Sequence, residues 1–242
     1  MYKFNRILLK LSGEGLSHSS SSLLDYNKVS NLSVQLKELQ SHGIEVAIVI
    51  GGGNICRGGA VPEAEQFSRN TLDNIGMLST LINGLLLSDA LENHGIENVL
   101  MSSLEVNKVA DFYNVYKAKD VLKSKKVLIL VGGIACSLFS TDTAAVVRGS
   151  ELQCNAVLKA TKVDGLFDKD PTSHPDANLI KQISYEDFIA NKFKVMDLSS
   201  IVVAQMAGLP ICIFNMNEPR AVIELCSKET KVKHSLITFS NQ

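Results

Sequence analysis

The chain has 242 residues, of which 45% are hydrophobic and 20% are charged. A globular chain of this length buries roughly 70 to 75% of its unfolded surface, and the composition argues against disorder. The formal net charge of -1 gives no broad attraction to nucleic acid or to an anionic membrane, so neither is an expected partner. The five cysteines show no C-x-x-C spacing. This argues against a disulfide framework or a zinc site and favours a reducing, cytoplasmic location.

Apolar runs rich in β-branched residues recur along the chain and predict strands that are buried on both faces, as in a parallel sheet. They cover residues 7–11, 46–50, 127–131, 156–158 and 211–214. Helical patterns lie between these runs, at residues 25–43, 72–93, 143–152, 184–190, 198–207 and 219–226. The first of these helices is expected to begin at an Asp25 cap and to end at His42-Gly43.

Strands that alternate with helices predict an α/β fold, a three-layer α/β/α sandwich with a mostly parallel central sheet and right-handed crossovers. No linker rich in glycine or proline marks a boundary, so we expect one domain over residues 1–242 with two lobes. No apolar stretch is judged long enough for a membrane span. In such a sheet, ligands bind beyond the carboxyl ends of the strands.

Two glycine-rich turns follow predicted strands, at residues 12–15 and 51–54. Without Cβ atoms, their peptide N–H groups can converge on an anion, and glycine tolerates the positive φ values that such a nest is expected to need. Arg57 supplies a cation beside the second turn. Neither turn matches the Walker A or dinucleotide fingerprint, so a plain tight turn is the structural alternative.

Three further features have both a structural and a functional interpretation. Lys10 lies in an apolar strand, where an unpaired ammonium is costly; it either reaches solvent or meets a phosphate at the turn after Leu11. Asp142 lies in a cluster of Ser, Thr and Asp residues that is typical of a helix N-terminus. Asp142 can cap the helix, help to bind a phosphate there, or do both. Residues 158–171 have two equally supported interpretations. They form either a surface hairpin or a nucleotide-binding segment in which Phe167 faces a base or ribose.

The ordered set of motifs resembles the bacterial uridylate kinases, members of the amino-acid kinase superfamily. The resemblance rests on Lys10-Leu11-Ser12-Gly13-Glu14, Gly51-Gly52-Gly53-Asn54 with Arg57-Gly58, Asp73 to Leu78 followed by Asn83-Gly84-Leu85, Leu158 to Asp170, Val195-Met196-Asp197 and Phe214-Asn215-Met216. It runs from about Arg6 to the C-terminus with nearly constant spacing. The Gly-Met-Leu and Lys-Ala-Thr-Lys-Val-Asp-Gly strings distinguish uridylate kinases from their carbamate, acetylglutamate and aspartate relatives.

The resemblance implies phosphoryl transfer from ATP, with Mg²⁺, to UMP, in pyrimidine nucleotide synthesis. It implies catalytic roles for Lys10, Arg57 and Asp142, of which Asp142 organises the reacting centre. It implies ATP contacts from Lys10, Leu11, Ser12, Gly13, Gly53, Arg57, Thr161, Phe167 and Asp170. It implies UMP contacts from Gly52, Asp73, Phe139, Ser140 and Thr141, with backbone contacts alone from Ile134, Ala135, Cys136, Ser137 and Leu138. An N-terminal acceptor lobe, a C-terminal ATP lobe and a homohexamer are expected with it.

Two segments depart from the family pattern. The usual Gly-Thr-Gly-Asn-Pro-like loop is replaced by residues 133–138, Gly-Ile-Ala-Cys-Ser-Leu, so its side-chain contacts do not transfer. A glycine-rich segment linked to GTP regulation is replaced by Ser-His-Ser-Ser-Ser-Ser at residues 17–22, so we expect weak or altered GTP control. The alternative functions are a sister kinase that phosphorylates a carboxylate or carbamate, and a non-catalytic nucleotide-binding subunit.

Overall fold

The structure is a computed structural model that describes residues 2–17, 23–56 and 64–240. In the first half of the chain the elements are β1 (Arg6–Leu11), α1 (Gly13–Leu16), α2 (Tyr26–Ser41), β2 (Glu45–Ile50), a 3-10 turn (Ala64–Gln66), α3 (Arg69–Asn93), β3 (Asn98–Ser102), β4 (Asp111–Phe112), α4 (Val115–Lys123) and β5 (Val127–Val131). The second half contains α5 (Thr141–Glu151), β6 (Ala156–Thr161), β7 (Leu166–Phe167), β8 (Leu179–Ile180), β9 (Gln182–Ser184), α6 (Tyr185–Ala190), α7 (Leu198–Ala207), β10 (Ile211–Asn215), α8 (Ala221–Cys226) and β11 (His234–Thr238).

One central sheet organises the fold. Within the described ranges it contains nine strands in the order β4-β3-β5-β2-β1-β6-β10-β11-β9. The neighbouring strands are parallel except for β10 and β11, which run antiparallel. Apolar side chains of α2, α3 and α8 cover one face, and those of α4, α5, α6 and α7 cover the other. The predicted three-layer α/β/α sandwich with a mostly parallel sheet is therefore confirmed.

The five predicted strands and six predicted helices are all present, with small shifts at their ends. Asp25 caps α2 as predicted, and its side chain accepts hydrogen bonds from Asn27 N and Lys28 N. The sequence reading did not predict β3, β4, β7, β8, β9, β11 or α4. Most of these strands have two or three residues or expose alternate side chains, so they lack the continuous apolar run that marks a central strand.

The long helix α3 packs closely on the sheet. A Cβ atom at Gly84 would lie 2.4 Å from Val131 Cγ1, so glycine is needed for this approach. By length and composition α3 is apolar enough to cross a membrane, with a mean hydropathy of 1.2 in its best 18-residue window, contrary to the sequence reading. Leu87 and Leu91 are fully buried against the sheet, so core packing explains part of this apolar character.

Candidate active site

Two lysines lie side by side on the two central strands of the sheet. Lys10 on β1 is the register partner of Lys159 on β6, and each residue is 7% exposed. Because strand side chains alternate, both lysines share the face of Leu8 and Val157, which α5 covers. The strands run parallel, so both ammonium groups lie near the carboxyl edge of the sheet, where the two glycine turns also begin.

Asp142, in the first turn of α5, pairs with both lysines. Its Oδ1 lies 2.7 Å from Lys10 Nζ, and its Oδ2 lies 2.5 Å from Lys159 Nζ. Burial alone raises the pKa of the Asp142 carboxyl, but the two ammonium groups outweigh burial and hold that pKa below its usual value. Burial lowers the pKa of Lys159, while the Asp142 charge opposes this shift. We call Lys10, Asp142 and Lys159 the charge triad; with all three ionised it carries one net positive charge.

Local helix capping explains where Asp142 lies. Ser140 is the N-cap residue of α5, and its Oγ accepts hydrogen bonds from Asp142 N at 2.9 Å and Thr143 N at 3.4 Å. The helix thus begins at Thr141, two residues before the predicted start, and Asp142 itself is free to face the sheet. Lys159 Nζ also donates a hydrogen bond to Val195 O at 2.5 Å, which holds the second lysine from the opposite side.

The two glycine turns contact each other. Gly51 N donates a hydrogen bond to Leu11 O at 2.8 Å, and Asn83 Nδ2 donates to Gly51 O at 2.7 Å. A Cβ atom at Gly13 would lie 2.0 Å from Asn54 Oδ1, and one at Gly52 would lie 2.6 Å from a side-chain atom of the facing helix α3. Glycine is therefore required for close packing.

The prediction that glycines of these two turns adopt positive φ values is wrong. Among the described residues, the glycines with positive φ are Gly43, Gly95, Gly132, Gly133 and Gly208. None of these belongs to either turn, because the backbone packs closely there without entering the left-handed region.

A cavity of about 260 Å³ lies beside the second glycine turn. Its lining combines most of the side chains expected to contact UMP with the start of α5: Gly52, Gly53, Asp73, Cys136, Phe139, Ser140 and Thr141 are among them. We call it the acceptor cavity. Asp73 holds its rim, because Asp73 Oδ2 accepts a hydrogen bond from Leu138 N at 2.8 Å and the carboxylate pairs with Arg69.

The loop that departs from the family pattern forms part of this rim. Ala135 and Leu138 have φ values of 56° and 75°, in the left-handed region that favours glycine. Ser137 Oγ donates a hydrogen bond to Asn70 Oδ1 at 2.7 Å, so contacts to α3 hold the loop at both Ser137 and Leu138. The loop therefore follows a strained backbone path that contacts with α3 hold in place.

A second cavity, of about 560 Å³, lies under the loop after β6 and contains Phe167, Asp170 and Val195 in its wall. We call it the donor cavity. Phe167 belongs to β7, which pairs antiparallel with β8 at Leu179–Ile180, outside the segment 158–171 in which a hairpin was one of two interpretations. Asp170 accepts a hydrogen bond from Thr172 N at 2.9 Å. Val195 connects this cavity to the charge triad, since its carbonyl binds Lys159.

The remaining predicted residues are placed as follows. Ser12 caps α1 and accepts a hydrogen bond from Gly15 N at 3.0 Å. Leu11 lines a third cavity, of about 340 Å³ between α2 and α8, and not the donor cavity. Thr161 Oγ1 donates to Val163 O at 2.6 Å, so its hydroxyl is engaged within the turn after β6. Arg57 and Gly58 lie outside the described residues, as do residues 18–22 of the segment linked to GTP control.

Sequence reasoning gave no role to Lys159. Lys159, like Lys10, is a lysine in an otherwise apolar run. The charged residues that follow Thr161 are, however, typical of a surface loop that begins near Lys159. The decisive fact is its register with Lys10 across two strands that are 149 residues apart in the chain. That pairing depends on the topology of the sheet, which local sequence does not reveal.

Comparison with known proteins agrees with this architecture. The sequence profile of the amino acid kinase family matches residues 5–215. The chain belongs to the amino acid kinase family. Similar relatives include a uridylate kinase of Sodalis glossinidius, 43% identical over 90% of both chains, and one of Psychromonas ingrahamii, 43% identical over 96% of this chain and 94% of the relative.

Solved structures give the same result for this amino acid kinase. A UMP kinase from Bacillus anthracis superposes with a TM-score of 0.91 at 32% identity, covering 98% of this chain and 97% of that chain. A UMP kinase from Ureaplasma parvum superposes with a TM-score of 0.89 at 30% identity, covering 97% and 98%. The likeness therefore extends over almost the whole of each chain.

We predict that Asp142→Asn lowers the free energy of unfolding by about 3–5 kcal/mol at pH 7, because it leaves two buried ammonium groups without their counter-charge. The unpaired Lys159 then has a pKa further below its usual value. Above that pKa the folded state binds fewer protons than the unfolded state, so the stability of the variant rises with pH. Urea unfolding at pH 7 and pH 9 measures both effects.

Asp176→Asn is the control, since Asp176 forms an exposed ion pair with Lys169. Exposed pairs contribute little, so this variant should unfold like the wild type. Equal unfolding of the two variants would show that the charge triad is not a stabilising contact.

Proposed function

We propose that this kinase transfers the γ-phosphoryl group of ATP to UMP, producing ADP and UDP for pyrimidine nucleotide synthesis. The observation that carries the proposal is the buried charge triad, which adjoins one residue of each cavity. Thr141 of the acceptor cavity directly precedes Asp142, and Val195 of the donor cavity binds Lys159. The curated relatives are named uridylate kinases, which agrees with UMP as the acceptor.

The proposed chemistry is alignment and charge neutralisation. The acceptor is a phosphate oxygen of UMP, which is already anionic near neutral pH, so the reaction needs no strong general base. Lys10 and Lys159 offer ammonium donors to the transferring phosphoryl group, and Asp142 keeps them at a fixed separation. Because the triad is buried and already paired, its donors need little reorganisation when charge develops in the transition state.

The binding residues follow the two cavities. We assign UMP to the acceptor cavity, with contacts from Gly52, Asp73, Phe139, Ser140, Thr141 and the backbone of residues 134–138. We assign ATP to the donor cavity and the first glycine turn, with contacts from Lys10, Ser12, Gly13, Arg57, Thr161, Phe167 and Asp170. Leu11 and Gly53, which the resemblance also assigns to ATP, line the third cavity and the acceptor cavity respectively, so we do not assign them to the donor cavity. In this assignment the N-terminal lobe binds the acceptor and the C-terminal lobe binds ATP within one domain.

The described residues favour Mg²⁺ that arrives with ATP and is bound through its phosphates. Mg²⁺ prefers oxygen ligands and usually takes substrate phosphates with one or two carboxylates. Among the described residues no cluster of three or more His, Cys, Asp or Glu side chains is placed to hold a metal, and Asp142 is already paired with two lysines. Bound through the phosphates, Mg²⁺ would add to the neutralisation of their charge.

The direct test is ADP release from ATP with UMP, CMP, acetylglutamate, aspartate or no added acceptor. We expect release with UMP well above that with every other acceptor, because the acceptor cavity places the α5 N-terminus and two glycine peptides beside the triad. Activity with an amino acid would favour a sister kinase. Silence with every acceptor would favour a non-catalytic nucleotide-binding protein.

We predict that Lys10→Ala lowers kcat by ~10³ to 10⁵ while UMP binding largely survives, since cationic contacts to the transferring group act mainly in the transition state. Turnover by coupled assay and UMP binding by calorimetry measure the two effects. Lys162→Ala is the control, because Lys162 follows β6 but its side chain is 65% exposed. Unchanged turnover in Lys10→Ala would remove Lys10 from the mechanism.

A homohexamer is the assembly that we propose. Ile75, Leu78, Ile82 and Leu85 are exposed along α3 at spacings of three and four residues, as in the seam between packed helices. A stripe of this kind on one helix can meet its own copy across a two-fold axis, and such pairs can build a closed hexamer. The same stripe accounts for the part of the apolar character of α3 that core packing does not explain.

The double variant Leu78→Glu with Ile82→Glu should dissociate this assembly, because like charges would face each other across the two-fold axis. Light scattering gives the molar mass. Val34→Glu is the control, since Val34 is an exposed apolar residue on α2. A monomeric wild type, or a double variant with the wild-type mass, would contradict the proposed interface.

A further inference from the structure

Asp197 connects the start of α7 to the start of α5. It occupies the N-cap position of α7, yet within the described structure its carboxylate makes no capping hydrogen bond to the amides of that helix. Instead, Oδ1 accepts from Ser140 Oγ at 2.9 Å, and Oδ2 accepts from Thr143 Oγ1 at 2.5 Å and from Ser199 Oγ of α7 at 2.8 Å. Ser140 and Thr143 belong to the N-terminal turn of α5, which contains Asp142. The carboxylate thus connects the first turns of the two helices.

The contact with Ser140 forms a relay to the charge triad. Ser140 Oγ donates its proton to Asp197 and at the same time accepts a hydrogen bond from Asp142 N. A hydroxyl that donates to a carboxylate becomes a better acceptor, so the ionised Asp197 strengthens the cap that places Asp142. Loss of the carboxylate would weaken this cap without removing Ser140.

The same short segment also holds the second lysine. Val195 O accepts from Lys159 Nζ at 2.5 Å, two residues before Asp197. The charged groups that act on Lys159 are Asp142, Lys10 and Asp197. Residues 195–197 therefore contact both sides of the ion pair between Lys159 and Asp142, one through a carbonyl and the other through the α5 cap.

We propose that Asp197 is a positioning residue of the phosphoryl-transfer centre, which sets the place of Asp142 and thereby of both lysines. This inference rests on the proposed function for its catalytic consequence. Asp197 itself contacts hydroxyl groups and not the reacting atoms. Its geometric consequence, an ordered first turn of α5, does not depend on which acceptor is used.

Two variants separate geometry from charge. Asp197→Ala removes both hydrogen bonds to α5, and we expect kcat to fall by about 10²-fold with little change in KM for ATP or UMP, as for a small misplacement of reacting groups. Asp197→Asn keeps the size of the side chain but removes its charge. The Asp197 charge raises the pKa of Lys159, so the alkaline limb of the kcat profile should move to lower pH in Asp197→Asn.

Asp187→Ala is the matched control. Asp187 is also a carboxylate at a helix N-terminus, where it accepts from Ser184 Oγ at 2.7 Å, but it belongs to α6. We expect a stability loss similar to that of Asp197→Ala with unchanged kcat. A fall in kcat of the same size in both alanine variants would reduce Asp197 to a general stabilising role and overturn the inference.

Hydrogen exchange of the amides of Asp142 and Thr143 gives a readout that is independent of the acceptor. Exchange there should be faster in Asp197→Ala than in the wild type and unchanged in Asp187→Ala. If the wild type fails to phosphorylate UMP, the proposed function fails while this measurement still tests the positioning role. Unchanged amide exchange in Asp197→Ala would overturn the positioning role. If the alanine variant does not fold, an unshifted alkaline limb of the kcat profile in Asp197→Asn would overturn it instead.

Discussion

The buried contact of Asp142 with Lys10 and Lys159 is the constraint on which the centre of this protein depends. Charges that are removed from water must be paired, and the geometry must be good enough to offset the cost of desolvation. Three elements from distant parts of the sequence, β1, β6 and the first turn of α5, must therefore converge within hydrogen-bonding distance. A register slip of one residue on either strand would turn its lysine to the opposite face, so the triad also specifies the pairing of the two central strands.

Close backbone packing, and not unusual backbone torsion, explains the glycine turns. The first turn fits against Asn54 because Gly13 has no Cβ, and the second fits against α3 because Gly52 has none. Asn83, which is 1% exposed, then bridges Gly51 and Asn54 with its amide. Near the site, positive φ values occur instead in the neighbouring loop, at Gly132, Gly133, Ala135 and Leu138. The acceptor cavity is thus bordered on one side by closely packed peptide groups.

The layers of the fold could be predicted from sequence because continuous apolar runs and helical periodicity are local signals. Lys10 could be predicted as a site residue for the same reason, as a charge in an apolar strand that ends at a glycine turn. Lys159 and Asp197 could not, because their meaning depends on strand register and on contacts between α5 and α7. Leu11 was assigned to ATP by motif, but its side chain faces a separate cavity, since alternate residues of a strand point to opposite faces.

A centre built from two lysines must attract phosphate and must also keep both ammonium groups protonated. The ammonium groups must stay protonated to attract phosphate, yet burial and mutual repulsion both favour loss of a proton from Lys159. Asp142 opposes this loss directly, and the carboxylate of Asp197 opposes it from farther away. Because Val195 forms part of the donor cavity and also binds Lys159, the segment that restrains the second lysine is the same one that contacts the donor side. The donor cavity and the ammonium group of Lys159 therefore share Val195 as a common contact.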